Sequence, residues 1–99
     1  MKEFRLMIDG AETIARVKNA KEDIGQSAEV LCAMRDSSGW SWWYFFDYTR
    51  EKITSKAKLA ALIEKNRNSG FSVGMFDSIA ELNADLKAEE MTEFGFFGE

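Results

Sequence analysis

The stretch from Trp40 to Tyr48 constrains the fold of this chain more than any other part of its sequence. Seven of its nine residues are aromatic, and aromatic side chains suit the pleated surface of a β-strand. One face of this strand carries Trp40, Trp42, Tyr44, Phe46 and Tyr48, and the other carries Ser41, Trp43, Phe45 and Asp47. Because successive side chains of a strand point to opposite sides, large rings lie on both faces and both faces need cover.

The first eighteen residues have the pattern of a β-hairpin. Apolar and polar residues alternate on both sides of Asp9-Gly10, a dipeptide favoured in two-residue hairpin turns because both turn residues adopt positive φ. A turn at this dipeptide pairs Ile8 with Ala11. The pairing predicts one apolar face directed at the core, made of Phe4, Leu6, Ile8, Ala15 and Val17.

Two segments between the hairpin and the aromatic strand are less well determined. Residues 19–26 are polar, which predicts a connection between elements. Residues 27–36 alternate as a strand does, but they also contain good helix formers. A strand is favoured because the aromatic strand needs a neighbour, and a helix is the alternative.

Two helices are predicted after the aromatic strand. The first lies within residues 49–67, where apolar residues recur at helical spacing. Ser55 or Thr54 is its candidate cap, and an earlier start near Asp47 is the alternative. The second begins at a capping box, in which Ser78 caps the amide of Glu81, and runs to about Met91. Residues 71–76, between the helices, form a short apolar segment that predicts an edge strand or a packed loop.

Together these elements predict an α+β fold. One antiparallel sheet of four strands, or five, has the two helices packed on one of its faces. Residues 1–91 form a single domain, and residues 92–99 form a C-terminal tail rich in Phe and Gly. The tail packs either on its own domain or on a second subunit, and the sequence does not choose between the two.

The composition excludes several kinds of chemistry. The chain has no His and a single cysteine, Cys32, so it lacks an internal disulfide and the usual ligands of a zinc or copper site. A hydrolase that uses imidazole as its base is excluded for the same reason. Carboxylates are the acid–base route that is left, and no spacing distinguishes a pair among the seventeen Asp and Glu. We therefore expect a non-enzymatic protein without a metal or cofactor.

The charged residues are unevenly distributed along the chain, which limits the partners that it can bind. Residues 1–70 contain twelve basic and ten acidic residues, whereas residues 71–99 contain one basic and seven acidic residues. The acidic end disfavours nucleic acid, and the aromatic strand lacks the basic residues of a platform for single-stranded nucleic acid. The acidic helix over residues 78–91 is expected to face water or a basic protein partner. Apolar runs are too short for a signal peptide or a membrane span, which predicts a soluble cytoplasmic protein without a membrane partner.

The aromatic strand suggests two functions. A small domain with two helices on one face has more ring surface than it can cover, which indicates a protein–protein interaction module, most simply a homodimer. The expected contact residues are Trp40, Trp42, Trp43, Tyr44, Phe46, Tyr48, Phe94, Phe96 and Phe97. The alternative is a small-molecule binding protein whose aromatic pocket, near Asp47, holds a planar or cationic ligand.

Overall fold

The computed structural model describes residues 1–18, 28–48, 52–67 and 71–98. Over these residues the chain forms one antiparallel sheet of five strands, which lie side by side in chain order, and two helices. The elements are β1 (Lys2–Ile8), β2 (Ala11–Lys18), β3 (Ala28–Asp36), β4 (Gly39–Asp47), α1 (Lys56–Asn66), β5 (Phe71–Phe76) and α2 (Ile79–Ala88). The predicted α+β class and antiparallel sheet are confirmed.

The predicted hairpin is confirmed together with its register. Ile8 of β1 lies opposite Ala11 of β2. Asp9 and Gly10 have φ angles of 49° and 80°, which are the left-handed values that this kind of two-residue turn requires. The local turn chemistry is therefore sufficient to set which side chains of the hairpin face the core.

Residues 28–36 form the strand β3, and the helical alternative is wrong. β3 pairs with β2 on one side and β4 on the other, and its central residues from Val30 to Ala33 are fully buried. A helix at this position would leave one edge of β4 without a partner strand, and unpaired backbone groups are costly once buried. The predicted connection over residues 19–26 lies outside the described residues.

The segment over residues 71–76 is the edge strand β5, which pairs with β4. A β-bulge at Met75, whose φ is 81°, shifts the register between the two strands. A Cβ atom added at Gly74 would lie 2.6 Å from the Cβ of Ser41. The close approach of β5 to β4 therefore requires glycine at this position.

α1 begins at one of its two candidate caps, and α2 is shorter than predicted. α1 begins after Ser55, whose hydroxyl accepts a hydrogen bond from the amide of Lys58 at 3.2 Å; the predicted start at residues 49–51 lies outside the described residues. α2 begins after Ser78, as predicted, and ends three residues before Met91. It ends there because Glu90 adopts a φ of 57°, which reverses the chain.

The two helices lie on opposite faces of the sheet, so the prediction that both cover one face is wrong. We call the side with Trp43 and Phe45 face A and the side with Trp40 and Trp42 face B. The apolar residues of α1 pack on face A and those of α2 pack on face B. They are Leu59, Leu62 and Ile63 in α1, and Ile79, Leu82 and Leu86 in α2.

The two-faced aromatic strand explains this arrangement. Burying one large apolar side chain stabilises a protein by about 1.5–3 kcal/mol, so leaving the rings of either face in water would cost several times that amount. The connection also directs α2, because only Asp77 and Ser78 separate it from β5. Such a short link places α2 across β4 and β5, while α1 packs against β1 on the other side.

Candidate interaction surface

The three tryptophans of β4 are buried within the single chain. Trp40, Trp42 and Trp43 are 4–7% exposed, and Phe45 is similarly covered. The indole of Trp42 donates a hydrogen bond to Oδ2 of Asp85 at 2.8 Å, which ties β4 to α2 on face B. These rings lie in the domain core. The expectation that they form an exposed contact surface therefore overestimated how much ring surface the chain leaves uncovered.

The C-terminal tail, residues 92–98, covers a further part of face B. Phe94 and Phe97 are 1% and 2% exposed and belong to the same core cluster as α2. Arg16 Nη1 donates to the carbonyl oxygen of Phe94 at 2.6 Å. The side-chain amide of Asn83 donates to the carbonyl of Phe97 at 2.8 Å and accepts from its N–H at 2.9 Å. The tail therefore packs on its own domain in this structure.

Sequence reasoning missed both residues that hold the tail. An arginine on a strand and an asparagine in a helix ordinarily face water, so neither Arg16 nor Asn83 carries a signal by itself. Phe96, between the two anchors, points away from the core and is 48% exposed. The Phe content of the tail predicted that it packs on its own domain or on a second subunit, but not which of the two.

Beyond Trp42, face B of β4 continues into a row of three rings, Tyr44, Phe46 and Tyr48, which we call the end patch. Tyr44 and Phe46 meet edge to face with their centroids 4.9 Å apart. Phe46 and Tyr48 are nearly parallel at 6.1 Å. Tyr44 is half-buried, whereas Phe46 is 41% and Tyr48 76% exposed. Within the end patch, Tyr44 is partly covered by Phe94 of the tail, whereas the other two rings stay exposed.

Polar side chains of both signs border the end patch. The hydroxyl of Tyr44 donates to Oε1 of Glu29 at 2.7 Å. Lys18 Nζ donates to Oε2 of Glu93 at 3.0 Å and lies 5.1 Å from the centre of the Phe94 ring. Partial burial, together with the neighbouring Glu29 carboxylate, raises the pKa of Tyr44 above its ordinary value. Tyr44 therefore stays protonated and acts as a hydrogen-bond donor.

The structure separates two of the residues near which the sequence predicted a pocket, Asp47 and Tyr48. Asp47 is buried on face A, whereas Tyr48 is exposed and stacks on Phe46 of face B. A different cleft of about 360 Å³ lies at the opposite end of the sheet, beside Trp40. Its lining includes Arg5, Glu12, Ile14, Arg35, Trp40 and Asp77.

The remaining sequence candidates have local roles. Burial raises the pKa of the Cys32 thiol well above its ordinary value, which makes this cysteine unreactive. In the acidic helix, Asp85 accepts from Trp42, and Glu81 accepts from the amide of Asp77 at 3.0 Å. Two of its carboxylates are thus engaged within the domain, while Glu89 and Glu90 are exposed.

A comparison with protein-family models, with curated proteins and with solved structures found no match to this chain. Neither helix of the described chain has the length and apolar character needed to cross a membrane.

Proposed function

We propose that this chain is a non-enzymatic protein–protein interaction module that forms a homodimer through the end patch. The observation that supports it is the contrast along one strand. The tryptophans of β4 are covered by the chain itself, whereas Phe46 and Tyr48 extend the same aromatic face into solvent. Contiguous exposed rings bordered by polar residues are typical of interaction sites.

The geometry of the end patch suits association. Its three rings already pack against one another, so little side-chain freedom is lost when a partner covers them. The border carries both signs, with Lys18 beside Glu93 and with Glu29. A two-fold axis through the patch brings such a border against its own copy, so that basic groups can meet acidic ones.

Replacing both exposed rings tests the proposal. The double variant Phe46→Ser/Tyr48→Ser is expected to raise the dissociation constant of the homodimer by more than about tenfold, because two aromatic contacts are lost. Sedimentation velocity over a range of concentrations measures this change. Met7→Ser is the matched control, since Met7 is 65% exposed and lies on β1 at the other end of the sheet.

The outcomes separate the proposal from its competitors. A parent chain that sediments as a monomer at hundreds of micromolar contradicts self-association. A dimer that the Phe46→Ser/Tyr48→Ser variant leaves intact, or that Met7→Ser weakens equally, contradicts the assignment to the end patch.

A second candidate function is the binding of a small planar molecule in the cleft beside Trp40. The guanidinium of Arg35 lies 5.9 Å from the centre of the Trp40 ring, and Arg5 lines the same cleft. Glu12 and Asp77 balance these two cations in the lining of the cleft. The preference for a planar compound with a carboxylate therefore rests on the Arg35 guanidinium beside the Trp40 ring.

A thermal-shift screen of planar compounds tests this candidate. Carboxylate-bearing compounds are expected to raise the Tm of the parent chain without changing its oligomeric state. The Arg35→Gln variant is expected to lose the shift. Equal shifts from cationic compounds, or shifts that survive in Arg35→Gln, contradict binding at this cleft.

A further inference from the structure

The chain's own C-terminal tail occupies a groove on face B in the way that a bound peptide does. Two rings three residues apart, Phe94 and Phe97, enter the core, and Gly95 between them has a φ of 72°. The polar contacts at both anchors are made by side chains of the domain to the backbone of the tail: Arg16 contacts the first, and Asn83 contacts both backbone groups of the second. Such contacts recognise the backbone of this segment whichever chain it belongs to.

We propose that this groove also accepts the tail of a second copy, so that two copies exchange their tails reciprocally. The inference rests on the proposed self-association and specifies how the two copies are held. A reciprocal exchange keeps each contact of the tail, which is then made between two chains instead of within one. The dimer therefore gains the contacts of the end patch and loses none of the contacts of the tail.

The link between α2 and the tail favours such an exchange. Glu90 adopts a φ of 57°, a left-handed conformation that side chains other than glycine adopt at a cost. It is held there by the hydrogen bond from the amide of Met91 to the carbonyl of Leu86 at 2.8 Å. Straightening the chain at Glu90, which an exchanged tail requires, relieves this strain.

The position of the groove connects it with the end patch. The ring of Phe94 packs edge to face on Tyr44 with centroids 5.9 Å apart, and Glu93 pairs with Lys18 at the border of the patch. The first anchor of the tail thus lies at the edge of the surface through which we propose that two copies meet. Association there brings the tail of each copy close to the groove of the other.

Cross-linking two variants, each with one introduced cysteine, tests the exchange. Lys18→Cys and ¹⁵N-labelled Glu93→Cys are mixed at high concentration, treated with a short thiol-specific cross-linker and analysed by mass spectrometry. Each chain carries one introduced cysteine, and the native Cys32 is fully buried, so an 18–93 link joins two different chains. Met7→Cys in place of Lys18→Cys is the control, and the double variant Lys18→Cys/Glu93→Cys, treated when dilute, shows that the reagent spans the pair.

We expect 18–93 links between labelled and unlabelled chains in the dimer fraction, and none with Met7→Cys. Because Lys18 and Glu93 also border the end patch, such links are necessary for the exchange, and a tail locked within one chain distinguishes the exchange from an end-patch dimer without it. A dimer fraction without 18–93 links overturns the exchange and leaves the end-patch dimer standing. The absence of any dimer overturns both proposals.

A locked tail gives a second measurement. The double variant cross-linked within one chain at low concentration cannot release its tail. If exchange holds the dimer, the locked protein is expected to dimerise at least tenfold more weakly than the same variant without cross-linker. Equal dimerisation of the two samples overturns the exchange.

Discussion

Replacing Phe94 with alanine is expected to lower the free energy of unfolding by about 3–5 kcal/mol. The ring is 1% exposed and lies in the face B core beside Tyr44. Its removal leaves a cavity in the face B cluster, whose other members are held in place by their own contacts, so the space cannot close fully. Urea unfolding followed by tryptophan fluorescence measures the loss, because the three tryptophans are buried in the folded chain.

Phe96 provides the matched control for this prediction. It is the same residue type two positions further along the same tail, but it is 48% exposed. Phe96→Ala is therefore expected to change the free energy of unfolding by less than about 0.5 kcal/mol. If Phe94→Ala is too unstable to measure, Phe94→Leu, which keeps most of the volume, is expected to cost less than about 1.5 kcal/mol. Equal costs for Phe94→Ala and Phe96→Ala would contradict the packed tail.

The second large effect is expected at Trp42. Trp42→Ala removes a buried indole from the centre of face B and is expected to cost about 3–5 kcal/mol. Trp42→Phe keeps a ring but removes the N–H that donates to Asp85, and a hydrogen bond to a charged group contributes about 1.5–3 kcal/mol. Urea unfolding of both variants measures the two contributions separately.

A double-mutant cycle isolates the contact between β4 and α2. Asp85→Ala is expected to destabilise the parent chain more than it destabilises Trp42→Phe, because the indole donor is already absent there. Equal effects in the two backgrounds would show that the Trp42–Asp85 hydrogen bond does not stabilise the fold.

These variants also separate folding from association. The sequence placed Trp42 and Phe94 among the contact residues of a dimer, but the structure buries both within one chain. Their replacement is expected to act on the free energy of unfolding. Replacement of the exposed pair Phe46 and Tyr48 is expected to raise the dissociation constant of the dimer, with little effect on the free energy of unfolding. Measuring both quantities for each variant tells core residues from surface residues.

The hairpin and the strand faces were predictable because short-range rules control them. Asp9-Gly10 selects the turn, and the turn fixes the register of the residues beside it. Alternation along the aromatic strand placed Trp42 and Trp43 on opposite faces, as observed. The helix starts at Ser55 and Ser78 follow from capping chemistry that involves residues three positions apart.

The candidate site was only partly predictable. The aromatic strand identified the right element, because ring content is visible in the sequence. Which rings stay exposed depends on what packs over them, and the sequence analysis expected both helices on one face. With α2 and the tail on face B, the exposed part of the strand shrinks from the whole aromatic face to the end patch at Phe46 and Tyr48.

The amino-acid sequence by itself determined the class of fold, the hairpin register and the need to cover an aromatic strand on both sides. Each of these follows from periodicity or turn chemistry within a few residues. Only the tertiary structure decided which face each helix covers and where the tail lies. The contacts responsible join residues far apart in the chain, such as Arg16 with Phe94, 78 positions away, and Trp42 with Asp85, 43 positions away. No local pattern records which distant surface a segment will meet, because that choice is made by the packing of the whole domain.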